Sequence, residues 1–148
     1  MARPRRGSRP VSDRLLRVAL IVVCAAGIAV AAYLTYVHYQ PEALICTGSG
    51  GCETVQDSNY AVLVGIPVAV LGLAVWIAAL ALTIWNTDLA RTLTTALAIG
   101  SLTFTTYLVI LQLFVLEAIC PWCMANDVVL VPLFTMLALL RLRSAPDA

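Results

Sequence analysis

Residues 18–37 read VALIVVCAAGIAVAAYLTYV, twenty residues in a row without a charge. A helix crossing the hydrocarbon layer of a bilayer needs about 20 apolar residues, so this stretch decides in which solvent the chain folds. Three further runs of the same kind follow it. The four windows cover about Leu15–Val37, Ala61–Trp85, Thr92–Leu116 and Pro121–Leu140, and the only charges inside them are Arg17 and Asp127. A composition of 61% hydrophobic and 11% charged residues is far from that of a soluble domain and agrees with a core that faces lipid.

Lipid offers no partner for backbone N–H and C=O groups, which leaves helices or closed barrels. The long uninterrupted runs lack the alternation of barrel strands. The expected fold is therefore all-α, an integral membrane four-helix bundle. Pro67 and Pro132 fall inside predicted helices, and bends are expected there. The threonines of the third span (Thr92, Thr94, Thr95, Thr103, Thr105, Thr106) can bond to carbonyls of their own helix or of a neighbour. The chain divides into a basic tail (1–14), a four-helix domain (15–140) with an outer cysteine loop (39–60), and a C-terminal tail (141–148).

All nine basic residues are arginines: Arg3, Arg5, Arg6, Arg9, Arg14, Arg17, Arg91, Arg141 and Arg143. With four spans they all fall on one face, which the positive-inside rule makes cytoplasmic together with both termini. The segment Tyr39–Tyr60 and the turn Glu117–Cys120 then lie on the extracytoplasmic face, where the charges are acidic (Glu42, Glu53, Asp57, Glu117). A cleaved signal peptide is a rival reading of the first segment, with small residues at Ala29–Ala32. It fits less well, because the apolar run continues through Tyr36.

Four of the five cysteines gather on that outer face, which favours oxidation. Cys46 and Cys52 flank TGSGG, where Gly48, Gly50 and Gly51 give a tether that can bend and let the sulfurs meet or swing to another partner. Cys120 and Cys123 form Cys-Pro-Trp-Cys at the start of the fourth helix. Pro121 suits a first turn, and a helix N-terminus favours thiolate. A mobile loop cysteine and an accessible first motif cysteine can shuttle two electrons by thiol-disulfide exchange without metal. The plainer alternatives are two static structural disulfides or a four-thiolate zinc site, for which the lone His38 gives little support. Cys24, mid-span among Val, Ala and Gly, reads as a small apolar filler with no redox role.

A Cys-x5-Cys loop after the first span, Ser58 six residues beyond it, GIPVAVLG (residues 65–72) entering the second span, and Cys-Pro-Trp-Cys opening the fourth together resemble the vitamin K epoxide reductase family in its bacterial branch. The resemblance runs from Tyr33 to Leu140. It implies a quinone-dependent thiol oxidoreductase of a bacterial plasma membrane that supports disulfide bond formation in exported proteins. A thioredoxin-like partner would exchange with Cys46, Cys52 would attack Cys120, and Cys123 would stand beside the quinone, menaquinone or ubiquinone. Some bacterial members continue into a fused thioredoxin-like domain. This chain stops soon after Arg143, so a separate extracytoplasmic partner is expected, and no nucleic acid.

Asn126 and Asp127 lie three and four residues after Cys123 on the same helical face, where they could aid proton transfer or bond a ring oxygen. Alternatively, Asp127 complements a helix N-terminus. The vertebrate members carry tyrosine at this place, which argues against vitamin K epoxide as the substrate. Ser58 resembles the family's loop serine, which positions the loop pair, or else is a plain turn serine. Trp122 reads as an interface anchor. Two other classes remain beside the quinone-linked one: a scaffold that passes reducing power outward from cytoplasmic thiols, and a non-enzymatic membrane protein with structural disulfides.

Overall fold

A computed structural model describes residues 12–46 and 51–144. Helix α1 spans Asp13–Tyr39; its first turn is capped by Ser12, whose Oγ accepts from the Leu15 N–H at 3.3 Å. A short helix α2 (Gly51–Gln56) follows the cysteine loop, and a two-stranded hairpin leads into α3 (Val68–Trp85). Thr87 caps α4 (Asp88–Ile110), which ends in a wide π turn at Leu111–Val115. The last span is composite: α5 (Pro121–Met124), a π stretch at Ala125–Leu130, and α6 (Val131–Arg143). Four helical stretches are long and apolar enough to cross a membrane: Asp13–Tyr39, Val68–Trp85, Asp88–Val115 and Pro121–Arg143. This is an all-α, four-helix membrane bundle.

The helices close into a ring in which α1 packs against α3, α3 against α4, α4 against α6, and α6 against α1. Leu20, Cys24, Trp76, Ala79, Ala98 and Phe134 fill its middle. Large apolar side chains such as Val22, Ile77, Leu93 and Ile99 stay exposed on the outside, as a lipid-facing surface requires. Helices α1 and α3 meet closely because Gly27 has no side chain: a Cβ there would lie 2.2 Å from the Trp76 ring. The threonines act both ways. Thr94 donates to the Ala90 carbonyl on its own helix, and Thr95 also reaches the Ala138 carbonyl on α6 at 3.4 Å.

Three expectations need correction. The second span begins at Val68, not Ala61, so Pro67 lies at the helix cap and does not bend the helix. The reason is local: a residue before proline is pushed out of the helical region, so Ile66 is extended and pairs with Leu63, while Val62 pairs with Pro67. Val64 (φ 52) and Gly65 (φ 81) form the hairpin turn, whose two positive φ values suit the twist of the strands. The segment that precedes the second span accordingly ends at Pro67. At Pro132 the irregularity takes the form of the π stretch just before α6. Finally, the terminal helices extend past the expected boundaries. Helix α1 begins at Asp13, and α6 runs on to Arg143 because Arg141 is buried and bonded to Asp13 and Asn86.

Candidate active site

The four cysteines other than Cys24 lie at one end of the bundle, opposite the end where Asp13, Arg91 and Arg141 meet. Cys46 and Cys52 are joined in a disulfide, while Cys120 and Cys123 are free thiols. Their exposure differs: Cys46 and Cys123 are half-buried, while Cys52 and Cys120 are both 0% exposed. Cys120 is thus not the accessible thiol the spacing suggested.

Gly51 opens α2, and a Cβ on it would lie 2.4 Å from the Ile119 carbonyl oxygen and 2.7 Å from the Ile119 nitrogen. Glycine is thus required for contact between backbones, and Cys52 and Cys120 are the next residues on either chain segment. The expected role of Gly51 as a free hinge is replaced by close approach. Gly48 and Gly50 lie outside the described residues.

The turn that carries Cys120 is fixed from beneath. Glu117 takes a left-handed conformation (φ 48), and the buried Gln112 holds both sides of the turn: its carbonyl accepts from the Ala118 N–H at 3.1 Å, its Oε1 from the Cys120 N–H at 3.0 Å. An uncharged amide near the end of an apolar span was the signal by which Gln112 could have been found. Trp122 does more than anchor at an interface. Its indole N–H donates to the Ile45 carbonyl at 2.8 Å and its ring meets Tyr33, whose hydroxyl accepts from the Ile45 N–H at 2.8 Å. The residue before Cys46 is thereby held on both its backbone groups.

Cys120 stands at the N-terminal cap of α5. A hydrogen bond from the Cys123 thiol, aided by the backbone N–H groups of Cys123 and Trp122, outweighs burial and brings the Cys120 thiol down to about 7. The direction favours thiolate, the form that exchanges disulfides.

Cys123, Asn126 and Asp127 line a cavity that encloses about 1120 Å³ of empty space including its mouth. Most of the wall is apolar, from Leu34, Leu71, Val75, Phe104 and Leu108. Asp127 is 6% exposed. Its Oδ1 accepts from the Asn126 amide at 2.9 Å, and the Asn126 Oδ1 accepts from the Trp76 indole N–H at 3.0 Å. Trp76 was not foreseen as part of the site; a mid-span tryptophan whose N–H must find a partner was the available clue. Ser58 also lines the cavity, but its Oγ donates to the Val55 carbonyl at 2.8 Å and so fastens the end of α2. Among the described residues no group of three or more His, Cys, Asp and Glu side chains stands together as a metal site.

Residues 18–138 match the family model described as the Vitamin K epoxide reductase family. The chain belongs to that family. The match takes in all four spans except the ends of the first and last, and all of the elements that carry the four cysteines. This vitamin K epoxide reductase family member is therefore a multi-pass membrane redox enzyme. Asn126, Asp127 and Cys123 meet at one cavity in it, and Gly51, beside Cys52, packs on Ile119, beside Cys120.

Proposed function

We propose that the protein oxidises the thiols of a separate extracytoplasmic thioredoxin-like partner and reduces a membrane quinone, so that exported proteins can acquire disulfides. The observation that carries this reading is the gathering of the four cysteines at one end of the bundle, with Gly51 beside Cys52 packed on Ile119 beside Cys120, and with Cys123 lining an apolar cavity.

In the proposed cycle a partner thiolate attacks Cys46, breaking the Cys46–Cys52 bond and releasing Cys52 as thiolate. The second partner thiol resolves that mixed disulfide and leaves the partner oxidised. Cys52 then attacks Cys120 of a Cys120–Cys123 disulfide, expelling the Cys123 thiolate. Cys46 closes again on Cys52, which frees Cys120. The closed loop pair and free motif thiols match this stage. Re-forming the Cys120–Cys123 bond gives up two electrons and two protons, which convert the quinone to quinol. The cavity suits such an acceptor: its walls are apolar enough for the ring and tail, while Asn126 and Asp127 offer a hydrogen bond and a proton-carrying group beside Cys123. The arginine-rich face would be cytoplasmic in a bacterial plasma membrane and the cysteine face extracytoplasmic.

Purified protein supplied with menaquinone or ubiquinone is expected to oxidise a reduced thioredoxin-like protein, and Cys123→Ala to lose the activity by on the order of a thousandfold or more. Full activity of Cys123→Ala, or no oxidation with either quinone, overturns the reading.

A further inference from the structure

The end of the bundle remote from the cysteines holds a second polar cluster that the redox path does not use. Arg91 Nη2 and Arg141 Nε both contact a single carboxylate oxygen, Asp13 Oδ1, at 3.3 and 3.4 Å. Arg141 is 2% exposed and also donates to the Asn86 side chain. Arg17 approaches the same end but is committed to the last turn of α3, where it donates to the Thr83 and Ile84 carbonyls at 3.2 and 2.8 Å. Among the described residues the other acidic side chain at this end, Asp88, is exposed and makes no ion pair.

Two guanidiniums therefore share one carboxylate, in a place where burial makes an uncompensated charge expensive. The shortfall is concentrated on Arg91. Its Nε and Nη1 are buried and meet no acceptor among the described residues, a condition folded proteins rarely leave standing. The side chain is 12% exposed, so it reaches the surface of the bundle at the level of the helix ends. A small turn of its long stem would bring Nη1 outward, where one of its N–H groups can donate to an oxygen of a phosphate group.

We propose that this cluster is a binding site for a phosphate group, held by Arg91 with Arg141 behind it, and supplied by the headgroup of an anionic phospholipid. Its position supports the lipid source: it lies at the ends of α1, α3, α4 and α6, where a spanning helix meets headgroups, and basic pockets between spans recognise them there. The bound phosphate would balance the excess charge and tie together the four helix ends. The proposal is independent of the thiol chemistry.

The full chain in nanodiscs provides the test. Adding phosphatidylglycerol to phosphatidylcholine discs is expected to raise the unfolding midpoint by about 4 °C or more. Arg91→Gln should lose at least about half of that shift, whereas Arg143→Gln, a change at an exposed arginine on the same face, should keep it. Inorganic phosphate added to phosphatidylcholine discs separates the sources: an equal, Arg91-dependent shift would retain the phosphate site and replace the lipid with soluble phosphate. No shift with either, or equal loss in both variants, overturns the proposal. Should Arg91→Gln fail to fold, native mass spectrometry of the unaltered protein decides instead. A retained anionic phospholipid that high salt removes supports the site, and its absence contradicts it.

Discussion

The two ends of the bundle are built from opposite materials. At the arginine end the backbone is regular: Ser12 and Thr87 cap helix starts, and Asn86 in the left-handed conformation closes α3. At the cysteine end nearly every irregularity of the chain is collected, with two π turns, positive φ at Val64, Gly65 and Glu117, and a loop pressed backbone to backbone on another. Regular caps hold an end that only has to stay together. Close backbone approach and widened turns are tolerated where sulfurs from two distant segments must meet, because the same contacts that strain the backbone set the distance for exchange.

This contrast can be broken at particular residues. The largest effect is expected at Gly51. A methyl there would meet the Ile119 backbone, lift the loop off it, and slow transfer from the loop pair to the motif pair by about a hundredfold with little change in bundle stability. Rapid-quench mass mapping of the disulfides would measure it; an unchanged transfer rate in Gly51→Ala would remove close approach from the account. Next is Trp76→Phe, which takes the donor from Asn126 and loosens Asp127 beside Cys123. Losing one such bond should lower quinone turnover about fivefold to tenfold while leaving loop-to-motif transfer alone.

The Cys120 thiol supplies a pH prediction with a definite sign. Because it is lowered to about 7, largely by the Cys123 thiol, its thiolate absorbance should rise with pH around 7, and Cys123→Ala should move that midpoint up toward the ordinary thiol range. A midpoint that stays put in Cys123→Ala would contradict the cause given. The smallest effect belongs to the other end: Thr87→Ala, which removes the α4 cap, should cost about 1 kcal/mol in a denaturation measurement and leave thiol oxidation unaltered.

The same contrast marks what the sequence made legible. Spans, their number and the gathering of four cysteines at one end follow from uncharged runs and from Cys-Pro-Trp-Cys at a helix start, because lipid leaves the backbone few choices. The irregular end was read less well. Nothing in TGSGG indicates that Gly51 serves contact rather than freedom, since that depends on Ile119, far along the chain. The hairpin at Val62–Pro67 is hidden in an apolar run, because its Val, Leu and Ile have the composition of a span. Gln112, Tyr33 and Trp76 act through partners that only folding brings near. Helical spacing after Cys123 puts Asn126 and Asp127 on its face, and all three line one cavity.

The central claim is that electrons pass from Cys52 to Cys120. A Cys46→Ser/Cys123→Ser double variant leaves these two sulfurs without their local partners, and mild oxidation followed by peptide mass mapping reads what they form. The account predicts that a Cys52–Cys120 disulfide becomes the main species. Two free thiols, or bonds to Cys24 or between molecules in its place, would contradict it.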